Sequence, residues 1–65
     1  MTLQDAAQDT TRSISERTVA DCMWNGYTDD FIVRHCDKML NIPAEETLEY
    51  MDDLTEEFLP LMGGL

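Results

Sequence analysis

The chain has 65 residues, of which 14 are acidic and four are Lys or Arg, giving a formal net charge of -10 at neutral pH. A chain of this length forms one domain with a thin core, so self-association or folding against a partner is a reasonable expectation, and monomer and homodimer both stay open. The charge repels phosphate, which argues against direct binding to nucleic acid or to an anionic membrane and favours a protein partner with a basic surface. Surplus acidic residues also promote solubility, which is a simpler explanation for part of the negative charge.

Cellular location is indicated by what the sequence lacks. Cys22 and Cys36 are too few for a secreted disulfide scaffold, and no basic segment followed by an apolar signal core begins the chain. The longest uninterrupted apolar run, residues 58–62, is far shorter than the roughly 20 residues of a membrane-spanning helix. We therefore expect a soluble cytoplasmic protein.

Residues 1–12 contain few large apolar side chains and a Thr pair, so we expect a mobile arm without a helix. Residues 13–65 are expected to form a single helical domain. Ser13 and Glu16 have the spacing of a reciprocal capping box and predict a first helix from about Ile14 to Asn25, ended by Gly26.

The second predicted helix covers 28–40 and the third covers about 43–59, ended by Pro60. The second has an unusually wide apolar arc, which is either sandwiched between the other two helices or partly offered to a second chain. The expected fold class is all-α, a small three-helix bundle with a mobile N-terminal arm.

The third predicted helix separates apolar residues on one half from acidic residues on the other. No basic residue follows Lys38, so we expect these acids to lack basic partners. They occupy about 18 Å of helix axis, or about 3 Å per charge, close to the roughly 3.4 Å between phosphates along one DNA strand. Such a helix can imitate a nucleic-acid backbone. The seven acids are Glu45, Glu46, Glu49, Asp52, Asp53, Glu56 and Glu57.

Other groups of reactive side chains fit structural roles better. His35 and Cys36 are adjacent and project about 100 degrees apart on a helix, which does not match the spacing of a zinc site. No calcium loop is present, and we expect no catalytic site, metal or cofactor. We interpret His35 as a boundary residue hydrogen-bonded to a backbone carbonyl. Four of the five methionines are interpreted first as core residues, although they also suit an adaptable binding surface; they are Met23, Met39, Met51 and Met62.

Trp24 and Tyr27 lie outside the clearest apolar cluster of the first predicted helix. Exposed side chains of this kind are strong interface anchors, and a core position for Trp24 stays equally open. The tail at 58–62 is either a docking segment or a strap that closes the core.

In size, acidity and helical content, together with the run from Glu45 to Glu57, the chain resembles small inhibitors that bacteriophages make against host nucleic-acid machinery, including anti-CRISPR and DNA-mimic proteins. The resemblance implies an inhibitor that blocks a basic surface.

A second resemblance covers Gly26-Tyr27, Asn41-Ile42-Pro43 and Glu49-Tyr50-Met51, whose spacing is similar to that of ubiquitin-associated three-helix domains. In that family a Met-Gly-Phe loop contacts ubiquitin, whereas the loop here reads Trp24-Asn25-Gly26-Tyr27.

The leading hypothesis is an inhibitor that occupies a basic, nucleic-acid-contacting surface of a host protein, with Glu49, Asp52, Asp53 and Glu56 at the centre of the contact. The competing hypothesis is a helical adaptor or regulatory homodimer that binds through the apolar residues of the second helix, Trp24 and the tail. A ubiquitin-binding module is a variant of the second hypothesis, and neither is an enzyme.

Overall fold

The computed structural model describes residues 2–58, and these form a bundle of four α-helices. The helices are α1 (Leu3–Gln8), α2 (Ile14–Trp24), α3 (Asp29–Leu40) and α4 (Ala44–Phe58). Within this part of the chain there is no strand, so the predicted all-α bundle is confirmed with four helices instead of three. The predictions for residues 59–65 lie outside the described residues. They are the end of the last helix at Pro60, the role of the tail and a core position for Met62.

Helix α1 corrects the expectation that residues 1–12 have no helix. The Thr2 N–H donates to the Asp5 carboxylate at 2.9 Å, and the Asp5 N–H donates to Thr2 Oγ1 at 3.3 Å, which closes a reciprocal capping box. Ala6 is buried, and Leu3 and Ala7 pack against the core. The prediction was wrong because small apolar side chains are sufficient to dock a short helix onto α2.

The ends of the other helices lie within about two residues of their predicted positions. The Glu16 N–H donates to Ser13 Oγ at 3.2 Å, and the Phe31 N–H donates to Thr28 Oγ1 at 3.2 Å. The predicted box at Ser13 is only half formed, because the Glu16 carboxylate binds Arg12 instead. Asn41 ends α3 in the left-handed conformation, with φ of 56°.

The core lies where α2, α3 and α4 meet, and it is closed at one side by α1. The stripe of α4 that faces it consists of Thr47, Met51, Leu54 and Phe58. Met51 is buried as predicted, whereas Met39 is 63% exposed and does not serve as a core residue. The buried apolar residues are Ala6, Val19, Ala20, Cys22, Ile32, Cys36, Ile42, Met51, Leu54 and Phe58.

Leu54 is fully buried, and replacing it with Ala should destabilise the bundle by about 2–5 kcal/mol because the side chain leaves a cavity. Leu48→Ala on the same helix is the matched control, since Leu48 is half exposed and should cost much less. Urea unfolding followed by circular dichroism measures both changes. Equal losses from the two substitutions would contradict the assigned core.

Candidate partner-binding face

The seven acids of α4 are all exposed, on the side of the helix opposite the core stripe. The separation of charge and apolar surface follows from the helical period, since Thr47, Met51, Leu54 and Phe58 recur every three or four residues. The acids between them point outward. The described structure therefore presents one continuous carboxylate surface along α4.

One of the seven acids, Glu57, has a basic partner that sequence reasoning did not find. Arg12 Nη1 donates to Glu57 Oε2 at 3.0 Å and Nη2 donates to Oε1 at 2.6 Å, a two-point contact across 45 residues of sequence. The expectation that none of the seven is neutralised was therefore wrong for Glu57. It failed because it rested on the lack of basic residues after Lys38, whereas the fold brings Arg12, just before α2, beside the end of α4.

The other six acids form no ion pair among residues 2–58, where the cations that pair are Arg12 and Arg34. We call these six the open acidic face. They run from the first turn of α4 to its last, and all are solvent-accessible. The open acidic face comprises Glu45, Glu46, Glu49, Asp52, Asp53 and Glu56.

Arg12 also joins other parts of the fold. Its Nε donates to Asp9 Oδ2 at 3.3 Å, its Nη1 donates to Glu16, and its guanidinium carbon lies 5.6 Å from the centre of the Phe58 ring. The α1–α2 connection, the first turn of α2 and the last turn of α4 thus meet at one side chain. Planar, multiple hydrogen bonding of this kind is what guanidinium provides and Lys does not.

These contacts shift the ionisation of the groups involved. The hydrogen bond from Arg12 lowers the pKa of Glu57 below its ordinary value, and the hydrogen bonds to Glu57 and Glu16 raise the pKa of Arg12. The pKa of Asp9 is lowered mainly by hydrogen bonds from the Thr11 hydroxyl and backbone N–H, with Arg12 adding to the effect. The network is therefore strongest when these carboxylates are ionised.

The backbone dipole affects the two ends of α4 differently. Glu45 and Glu46 lie in the first turn, where negative charge is favourable, but Glu56 and Glu57 lie near the negative end, and the last turn has no basic residue of its own. Arg12 compensates Glu57. Glu56 has no such compensation among the described residues.

Three rings, those of Tyr27, Phe31 and His35, form a short row at the start of α3, which we call the aromatic row. The Tyr27 and Phe31 ring centres are 4.5 Å apart, and Phe31 stacks on His35 at 5.6 Å with the planes 10° apart. Trp24 and Tyr27 are each 49% exposed and Phe31 is 44% exposed, so the structure places Trp24 at the surface and not in the core. We expected His35 to form a hydrogen bond with a backbone carbonyl. In the described structure its ring stacks on Phe31 instead.

An open cleft of about 400 Å³ lies between the end of α2, the start of α3 and α4. Asp29 lines it from the α3 side and Asp52 from α4, so the cleft borders the open acidic face. Sequence reasoning did not predict this cleft, because it is created by the way the three helices diverge. Its apolar lining is Met23, Tyr27, Ile32, Leu48 and Met51.

Cys22 and Cys36 are both buried free thiols. Burial raises the pKa of each thiol, so both stay protonated and weakly reactive at neutral pH. Across residues 2–58, no group of three or more His, Cys, Asp or Glu side chains is arranged to hold a metal ion. In the same part of the chain, no helix has both the length and the apolar character needed to cross a membrane.

No protein-family model, curated protein or solved structure matches the chain. The described part of the chain presents three surface features: the open acidic face, the aromatic row and the cleft that both border.

Replacing Arg12 with Gln should destabilise the protein by about 1–2 kcal/mol at neutral pH, because three carboxylates lose a shared partner. Arg34→Gln is the matched control. The Arg34 side chain is 79% exposed and, among residues 2–58, its one ion pair is with Asp30, so its loss should cost at most about 0.5 kcal/mol. Urea unfolding compares the variants, and equal stability of Arg12→Gln and the wild type would contradict the network.

The stability gap between the wild type and Arg12→Gln should depend on pH. The hydrogen bond from Arg12 holds the folded pKa of Glu57 below its ordinary value of 4.5, so the stability that this contact contributes is present above that value and is lost as pH falls through the lowered one. We expect the difference in free energy of unfolding between the wild type and Arg12→Gln to be largest at neutral pH and to become smaller once the pH falls below about 4. A gap that widens on acidification would contradict this linkage.

Proposed function

We propose that this chain is a small inhibitory binding protein whose open acidic face occupies a basic, nucleic-acid-contacting surface of another protein. The observation that supports the proposal most is the absence of ion pairs to six exposed acids on one helix face of the described structure. An external basic surface supplies the cations that residues 2–58 do not provide.

A helix selected for stability alone favours a different arrangement of charges. Oppositely charged side chains four residues apart stabilise a helix, and like charges at that spacing destabilise it by a few tenths of a kcal/mol per pair. On α4, Glu45 and Glu49 have this spacing, as do Asp52 and Glu56. This unfavourable pattern is what binding to Lys and Arg groups on a partner would compensate.

The charge spacing supports a nucleic-acid-contacting surface as the target. Carboxylates of the open acidic face follow one another at distances along the axis similar to phosphates on a strand. Arg and Lys groups that grip phosphates can form charge-assisted hydrogen bonds with Asp and Glu in their place. Such binding weakens as salt concentration rises.

The specific form we propose is a phage-type inhibitor of host defence, of the anti-CRISPR or DNA-mimic class, acting in the host cytoplasm by binding and not by catalysis. Its support is the combination of small size, net charge of -10 and a helical acidic surface. No cofactor, metal, membrane or direct nucleic-acid contact is part of the proposal.

A second candidate function is supported by the exposed aromatic side chains near the turn between α2 and α3. Trp24, Tyr27 and Phe31 are each about half exposed, and large exposed aromatic residues are typical interface anchors. In this alternative the protein is a helical adaptor or a regulatory homodimer that binds through apolar surface, and a ubiquitin-binding module is one variant. The acids then serve solubility alone.

The two candidates are separated by pull-down from host lysate with two variants of equal charge. Glu49→Lys/Asp53→Lys alters the open acidic face, whereas Asp21→Lys/Asp37→Lys alters exposed acids on α2 and α3. We expect the wild type and the second variant to capture a nucleic-acid-binding protein, and the first variant to lose it at least tenfold. Quantitative mass spectrometry at low and high salt measures the capture.

Equal loss in both variants would show that net charge and not the face controls binding. If both variants captured the same proteins as the wild type, the result would contradict the acidic-face proposal and favour the apolar alternative. Circular dichroism of each variant establishes that it is folded.

A further inference from the structure

We propose that the cleft between α2, α3 and α4 is a docking site for a short segment of the partner protein that carries a large apolar side chain flanked by Lys or Arg. This inference deepens the proposed function and rests on it for the basic character of the partner. It adds a second contact, because the apolar cleft and the open acidic face engage neighbouring parts of one partner surface.

The shape and chemistry of the cleft fit an apolar side chain. Its volume of about 400 Å³ is within the roughly 300–1,000 Å³ range of pockets that hold ligands. Ile32 and Met51 provide a buried apolar floor, and the half-exposed side chain of Leu48 forms part of a wall. Met51, together with Met23, can adapt to the shape of an incoming group because thioether side chains are flexible.

Leu48 is difficult to explain as part of an isolated bundle. It is 49% exposed on α4, next to the buried Thr47, although a polar residue at that position would leave the core stripe unchanged. Tyr27 is exposed to the same extent on the other side of the cleft. Two large apolar side chains that face one concavity are the arrangement expected for a binding anchor.

The charges around the cleft determine which occupant fits. Asp29 and Asp52 line it from opposite helices, and neither forms an ion pair among residues 2–58. Asp52 also belongs to the open acidic face. A segment that inserts an apolar side chain would therefore place flanking residues beside carboxylates, where Lys and Arg are favoured.

The same charges disfavour a second copy of the chain as the occupant. In a symmetric dimer the same patch of each copy meets across the axis, so Asp29 and Asp52 would approach the acids of the other copy. Each copy also carries a net charge of -10. Charge complementarity thus selects a basic partner over self-association.

The test uses the whole 65-residue chain and three fluorescent peptides. The first is amphipathic, with Leu and Trp on one helical face and Lys on the other; the second has the same composition in an order that disperses the apolar residues; the third is oligolysine. Anisotropy titrations at low and high salt give each dissociation constant. We expect the amphipathic peptide to bind at least tenfold more tightly than the other two at high salt, where contacts with exposed carboxylates are screened.

Variants then locate the binding. Tyr27→Ala/Leu48→Ala removes the exposed anchors of the cleft and should weaken the amphipathic peptide about tenfold or more. Met39→Ala/Ile14→Ala is the matched control, since both side chains are more exposed than the first pair and neither lines the cleft; its affinity should stay within about twofold of the wild type.

The proposal is overturned if the Tyr27→Ala/Leu48→Ala variant binds like the wild type, if the dispersed peptide binds equally well, or if sedimentation shows a dimer that this variant dissociates. Failure of the acidic-face proposal has a different signature. In that case oligolysine binding at low salt would be unaffected by Glu49→Lys/Asp53→Lys, while the amphipathic peptide would still depend on Tyr27 and Leu48.

Discussion

The packing of the buried stripe of α4 against the other helices is the constraint on which the rest of the described structure depends, and the contact between Arg12 and Glu57 fixes one end of that packing. This contact joins the connection after α1 to the last turn of α4, two parts of the chain separated by 45 residues. Phe58 lies beneath the same guanidinium at 5.6 Å and is buried in the core. The ion pair and the adjacent packing together fix how α4 lies against α2, and hence which side of α4 faces solvent.

This arrangement uses Arg12 at one end of the acidic surface and leaves the remainder without a partner in the described structure. Acidic residues three or four apart on a helix have Cβ atoms about 5–6 Å from one another, inside the screening length of about 8 Å at physiological salt. Their repulsion opposes folding of a bundle whose core is already thin. The fold tolerates it because α4 buries Met51, Leu54 and Phe58 on its other side. The same charges that weaken the isolated protein are available to a basic partner.

Features of the structure that depend on local sequence patterns could be predicted from the sequence alone. The helix starts at Ser13 and Thr28, the end at Gly26 and the outward position of the acids all follow from capping and helical period. Helix α1 also has a local signal, the capping-box spacing of Thr2 and Asp5, but the prediction rested on the low apolar content and the Thr pair of the segment and did not use it. Its stability comes from packing on α2, which composition does not reveal.

Other features could not be predicted because they depend on how the helices are placed relative to one another. The partner of Glu57 is distant in sequence, and no periodicity connects it to Arg12. Leu48 lies in the apolar half of α4, but the core stripe is narrower than that half, so Leu48 faces the cleft instead. The cleft itself needs three helices in position. The candidate site was thus predictable as a charged helix face, but its apolar neighbour was not.

The most direct test of the central claim is competition between the protein and nucleic acid for a captured partner. Fluorescently labelled DNA or RNA is bound to the purified partner, and the protein is added while anisotropy is followed. If the open acidic face occupies the nucleic-acid-contacting surface, the label should be displaced completely, and the apparent affinity of the protein should fall in proportion to the concentration of nucleic acid. Formation of a ternary complex, with protein and nucleic acid bound together at undiminished affinity, would contradict the account.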